Sequence, residues 1–185
     1  MIIFISGGCK NGKSIEAQRM AKKLACKNNS KLYYVATMIP KDEEDLKRVK
    51  RHLDERRGWG FETVEVDRSL TSLIDNLDTD GVYLFDSITA LLENNLFDQM
   101  TFEIDKEGPN RVIHELLQFA DEIKKGKGSI VFVSDFIYSD SIVYDESTEI
   151  YKKSLAKCDR AVANISDQVI ELVLGNIINY KKETI

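Results

Sequence analysis

The chain has 185 residues, with 26 Lys plus Arg against 31 Asp plus Glu for a formal charge of −5; 43% of it is hydrophobic and 31% charged. That is enough chain for one domain with its own core, without disulfides or a structural metal, and it excludes disorder and collagen-like repeats. The mild acidity argues against a dedicated nucleic-acid module, which would carry a basic excess.

Cys9, Cys26 and Cys158 form no C-x-x-C pair, so neither a disulfide framework nor a zinc site is expected, and a reducing, cytoplasmic setting fits. No run approaches the ~18 apolar residues of a membrane span, and the opening apolar run is too short for a signal-peptide core.

Along the chain, short apolar runs alternate with segments of helical period, the pattern of a parallel sheet with crossover helices. Strands are expected at residues 1–6, 31–36, 61–65, 81–86 and 129–134, several of them apolar throughout, as when helices cover both faces of a sheet. Helices are expected at 13–26, 42–57, 70–76, 88–97, 109–125 and 146–165, with Pro109 suited to a first helical turn. Near the end, 168–174 and 177–181 flank Gly175-Asn176, a two-residue hairpin signal. The last strand should therefore run antiparallel at a sheet edge. Neither a repeat nor a linker divides the chain, so a single domain over 1–185 is expected.

The strongest chemical signal lies at the first strand-to-helix junction. Gly7-Gly8-Cys9-Lys10-Asn11-Gly12-Lys13-Ser14 fits G-x-x-x-x-G-K-[ST], a P-loop. The glycines let backbone N–H groups fold around a phosphate, Lys13 reaches the β/γ-phosphates, and the Ser14 hydroxyl can ligate Mg²⁺. The chain is thus expected to be an α/β P-loop domain using GTP or ATP with Mg²⁺.

Such a site also needs a carboxylate for the magnesium shell, and Val82-Tyr83-Leu84-Phe85-Asp86 has the form of a buried strand ending in one. Asp86 is equally placed to cap the helix that follows. Ser87 stands where hydrolysing ATPases commonly carry a Glu, which favours transfer to a substrate over sustained hydrolysis. The segment from Asp42 to Arg57 has an acidic start and a basic end, suited to a helix dipole. It holds His52 among Arg48, Lys50, Arg51, Arg56 and Arg57. A lone imidazole among cations is expected to stay neutral and nucleophilic at pH 7, and the cluster attracts phosphates. A plain surface histidine fits these residues as well. His114, on a helix of mixed apolar pattern, reads as structural.

Together these residues resemble the bifunctional adenosylcobinamide kinase / adenosylcobinamide-phosphate guanylyltransferase family of cobalamin biosynthesis. Its G-G-x-R-S-G-K-S loop is matched by residues 7–14, and its Y-[IV]-A-T strand end by Tyr34-Val35-Ala36-Thr37. Its R-[IV]-x-x-H-x-x-x-R element is matched by Arg48-Val49-Lys50-Arg51-His52 with Arg56. Trp59 and Thr63-Val64-Glu65 follow, then Asp86, Thr89 and Asn94-Asn95-Leu96-Phe97. The resemblance implies that His52 becomes guanylylated, with Lys13 and Asp86 also catalytic. It implies that Thr37, Arg48, Arg51 and Glu65 join Gly7, Gly8, Cys9, Lys10, Asn11, Gly12, Lys13 and Ser14 at the nucleotide, and that Ser14 and Asp86 hold Mg²⁺. Cobinamide is the implied acceptor and a homotrimer the implied assembly, with neither nucleic acid nor a membrane span.

The last third departs from the pattern. Where the family has V-[ST]-N-E-V-G-x-G-I-V-P this chain reads Val133-Ser134-Asp135-Phe136-Ile137-Tyr138-Ser139-Asp140-Ser141-Ile142-Val143-Tyr144, and where it has G-x-x-N-Q this chain reads Ala156-Lys157-Cys158-Asp159-Arg160. These changes bear on the acceptor more than on the phosphate cradle. They leave two alternatives open, a P-loop kinase of another small molecule and a nucleotide-binding regulator without transfer.

Overall fold

The chain runs β1 (Ile2–Gly7), α1 (Lys13–Asn28), β2 (Leu32–Ala36), α2 (Glu43–Arg56), β3 (Phe61–Glu65), α3 (Thr71–Asp75) and β4 (Val82–Asp86). It continues with α4 (Ile88–Leu96), α5 (Gly108–Lys124), β5 (Ser129–Val133), α6 (Glu146–Ile165), β6 (Gln168–Val173) and β7 (Asn176–Lys182). This computed structural model describes residues 1–97 and 103–182, leaving aside the side chains of Arg48, Glu55 and Lys182.

All strands join one sheet in the order β3-β2-β4-β5-β1-β6-β7, parallel except for β7, which pairs antiparallel with β6 at the edge. The expected α/β class and antiparallel last strand are both present. Alternate residues of the buried strands feed opposite faces, the period-two consequence of the pleat. Ile2, Phe4, Val35, Phe85 and Phe132 pack toward α4, α5 and α6, whereas Ile3, Ile5, Leu84, Val131 and Val133 pack toward α1. Helix α1 lies close to the sheet because Ala17, Ala21 and Ala25, spaced by four, form its buried stripe.

Strand positions agree with the sequence expectation to within a residue, but the hairpin turn is shifted. Leu174 (φ 51°) and Gly175 (φ 77°) form it, and Asn176 already pairs with Val173. Two consecutive positive φ values are what a tight hairpin needs. This register keeps Ile170 and Leu172 in the core; a one-residue slip would turn them outward. Among the described residues no helix is long and apolar enough to cross a membrane.

Candidate active site

A parallel sheet delivers the carboxyl ends of its strands to one edge, where open α/β folds bind their ligands. That topology gathers residues far apart in sequence. The P-loop follows β1, Ala36-Thr37 closes β2, Glu65 ends β3, Asp86 ends β4 and Asp135 stands just beyond β5. Because β5 lies between β1 and β4, Asp135 falls between the P-loop and Asp86.

The loop itself is shaped by backbone constraints. A Cβ on Gly7 would lie 2.5 Å from the Leu172 carbonyl oxygen on β6, so only glycine fits. Gly12, at φ 85°, turns the chain into α1, and Lys10 is also left-handed at φ 58°. Asn11 donates to the Leu172 carbonyl at 3.3 Å, while Cys9 and Lys10 are exposed. Lys13 is buried: its Nζ donates to the Gly8 carbonyl at 2.8 Å and lies 2.7 Å from Asp135 Oδ1. Ser14 is half-buried on the first turn of α1.

Asp86 does not cap α4. That role belongs to Ser87, whose side chain accepts from the Ala90 N–H at 3.2 Å, so the capping alternative is overturned. The Asp86 carboxylate instead accepts from the Tyr34 hydroxyl at 2.8 Å through Oδ2. Burial and the Asp86 charge push Tyr34 well above the ordinary phenol range, against the opposing Arg56 charge, so Tyr34 remains a donor. Arg56 lies over the Tyr34 ring, 3.5 Å from its centroid, a cation–π contact that fixes the end of α2 on β2. Fully buried Thr37 accepts from the Ser87 N–H at 2.7 Å and holds the β4–α4 junction in place from β2.

A cavity of about 360 Å³ opens between α2 and this edge. Val49, His52 and Arg56, one face of α2 at spacings of three and four, line it opposite Glu65 and Asp86. The cavity thus brings His52, Asp86 and Glu65 together. Arg51 is on the exposed side of α2, and the Arg48 side chain lies outside the described residues. A hollow of about 410 Å³ near α3, lined by Tyr33, Glu62, Ser72 and Asn76 among others, has no basic side chain among its described lining residues to receive a phosphate.

The sequence reading missed three contacts of this site: Tyr34 with Asp86, Arg56 with Tyr34, and Lys13 with Asp135. Arg56 carried a signal, since its spacing from His52 puts both on one helical face. The Asp135 contact depends on strand order, which local sequence does not encode.

A family model described as cobinamide kinase / cobinamide phosphate guanyltransferase matches residues 3–180. The chain belongs to this family. The match covers the P-loop, the His52 helix, Asp86 and also the segment after β5 where the family's motif is altered. Membership makes the chain a member of a transferase family of cobalamin biosynthesis that uses nucleotides. No curated protein sequence matches it significantly. Among solved structures, the flagellar accessory protein FlaH from Methanocaldococcus jannaschii is similar at 16% identity, over 98% of this chain and 78% of its own, with a TM-score of 0.48. A likeness that distant has no bearing on activity.

One departure from the family's motif has a measurable consequence. Asp159 stands at the Asn of the G-x-x-N-Q element and is only 2% exposed. Tyr138 donates to its Oδ2 at 3.0 Å. Burial pushes its carboxyl up to about 7, against the Ser134 and Tyr138 hydroxyls and reinforced by the Asp135 charge. The unfolded value is ~4, so the folded state binds the extra proton between about pH 4 and 7. Stability from this group is therefore full below pH 4 and lost as pH rises through 7. Asp159→Asn removes the loss. Its melting temperature relative to the native chain is expected to rise by several degrees between pH 4 and 8, as thermal unfolding in a pH series would show. A difference that stays flat contradicts the assignment.

Proposed function

We propose that this protein phosphorylates the hydroxyl of adenosylcobinamide and then transfers GMP from GTP to the product through a guanylylated His52, one P-loop serving both steps. The cavity that joins His52 to Asp86 carries this reading. His52 and Asp86 both line it, and in this reading one is the nucleophile and the other the carboxylate of the phosphate site, with the basic residues of α2 attracting the nucleotide.

In the guanylyl step an imidazole nitrogen of His52 attacks the α-phosphorus of GTP. The N–P bond forms as the bridging P–O bond to the β-phosphate breaks, and pyrophosphate departs with the electron pair. A phosphate oxygen of cobinamide phosphate then attacks the same phosphorus and frees the imidazole. Lys13 binds the β/γ-phosphates, Arg48 and Arg51 contribute positive charge, and Glu65 faces the nucleotide from the end of β3. Thr37 acts through its hold on the Asp86–Ser87 junction. The oxygen donors of Ser14 and Asp86 suit Mg²⁺, with Asp86 Oδ1 left to it by the Tyr34 bond at Oδ2. When bound, Mg²⁺ neutralises charge on the phosphates.

Tyr138 and the apolar stretch Ile142-Val143-Tyr144 support a large apolar acceptor. Ile142 and Val143 are 59% and 88% exposed and offer apolar surface to a corrin ring. A smaller, charged acceptor would draw on the nearby carboxylates, and Asp140 is already paired with Lys152 at 2.8 Å. Exposed Leu46 and Leu53 on α2 offer apolar surface for the subunit contacts of a homotrimer. Calorimetric titration with adenosylcobinamide, in the presence of a non-hydrolysable GTP analogue, is expected to show one site per subunit. Neither binding nor turnover at millimolar ligand would shift the reading to a P-loop kinase of another small molecule.

A further inference from the structure

The P-loop lysine is held by a residue that the family's motif does not provide. Asp135 replaces the Asn of V-[ST]-N-E, and its Oδ1 lies 2.7 Å from Lys13 Nζ. Its backbone is pinned from both sides. The Asp135 N–H donates to the Thr89 hydroxyl at 2.9 Å, and the N–H of the next residue, Phe136, donates to the Gly7 carbonyl at 2.9 Å. Asp135 thus stands at a fixed point between the phosphate cradle and α4, with its side chain 28% exposed to the edge where an acceptor must enter.

Resting on the kinase half of the function proposed above, we infer that Asp135 is the general base that takes the proton from the acceptor hydroxyl during phosphoryl transfer. Lys13 has two uses for its charge, Asp135 and the β/γ-phosphates. A nucleotide draws it to the phosphates and leaves the carboxylate one contact away from the γ-phosphoryl group. Two anions side by side repel unless a hydrogen lies between them, and the incoming hydroxyl brings one. As the alcohol oxygen attacks, its bond to the γ-phosphorus forms and the β,γ-bridging P–O bond breaks. The electron pair leaves on the nucleoside diphosphate, and the hydroxyl proton moves to Asp135, which passes it to solvent through its exposed face. The charged groups facing Asp135 are Lys13 from α1 and Asp159 from α6, the latter raised by the Asp135 charge as well as by burial. An amide at this position can hold a phosphate oxygen but cannot accept the proton.

The test is Asp135→Asn, with adenosylcobinamide as acceptor. The kinase kcat is expected to fall by about 10²–10⁴-fold, the usual contribution of a general base. The Kd of a non-hydrolysable nucleotide analogue should stay within about fivefold or tighten, since Lys13 loses a competitor, and His52 should still be labelled by GTP carrying α-³²P. A kinase kcat near that of the native chain overturns the proposal and leaves Asp135 as a counterion only. Loss of nucleotide binding together with the rate also overturns it. Asp135→Glu beside Asp135→Gln is the second pair; the acid is expected to be at least about tenfold faster, and equal rates overturn the proposal. Native protein that binds nucleotide but phosphorylates no cobinamide defeats the cobinamide-kinase reading on which this inference rests, and this is seen before any variant is made.

Discussion

Lys13→Ala is expected to abolish both activities together. In the proposed mechanism the lysine carries charge to the β/γ-phosphates, so its loss is expected to remove transition-state stabilisation from either transfer. A fall of at least about 10²–10³-fold in each rate is expected, the range for deleting one preorganised donor to developing charge. The fold should survive. Asp135 loses its partner at 2.7 Å but keeps solvent contact, so the carboxylate is rehydrated rather than stranded. Melting temperature and the two rates, measured on one preparation, separate the effects. Native rates in a folded Lys13→Ala protein would show that the loop is not the phosphate site.

His52→Ala is expected to split what Lys13→Ala removes as one. His52 lines the cavity from α2, whereas the phosphate cradle is built from β1 and α1. Removing the imidazole leaves Lys13, Ser14 and Asp86 in place. Guanylyl transfer should vanish, and phosphorylation of adenosylcobinamide should continue within about threefold, since no transition-state contact of the kinase step is lost. Equal loss of both would place His52 in the shared phosphate machinery.

The alternation of apolar runs with helical segments, the P-loop and the strand ending in Asp86 were all legible in the sequence, because each depends on neighbours a few residues apart. The hairpin was legible but its register was not. Gly175-Asn176 has the favoured turn chemistry, yet the chain accepts Leu174 at positive φ to keep Ile170 and Leu172 buried. Packing of a β6 face outweighed local propensity at an exposed leucine. The site was legible as a set of residues but not as a geometry. The contacts of Asp135 with Lys13 and of Tyr34 with Asp86 arise only when strand order places β5 beside β1 and β2 beside β4. Asp86 itself was open to two readings until Ser87 took the cap.

The proposed mechanism turns on a covalent guanylyl group on His52 that is passed to cobinamide phosphate. Native protein incubated with α-³²P-labelled GTP and Mg²⁺, then freed of nucleotide, is predicted to carry an acid-labile, alkali-stable label, as a phosphoramidate would. Adding adenosylcobinamide phosphate should discharge that label into a GDP-linked cobinamide. Label that persists in His52→Ala, or that the acceptor cannot remove from the native protein, would rule out transfer through His52.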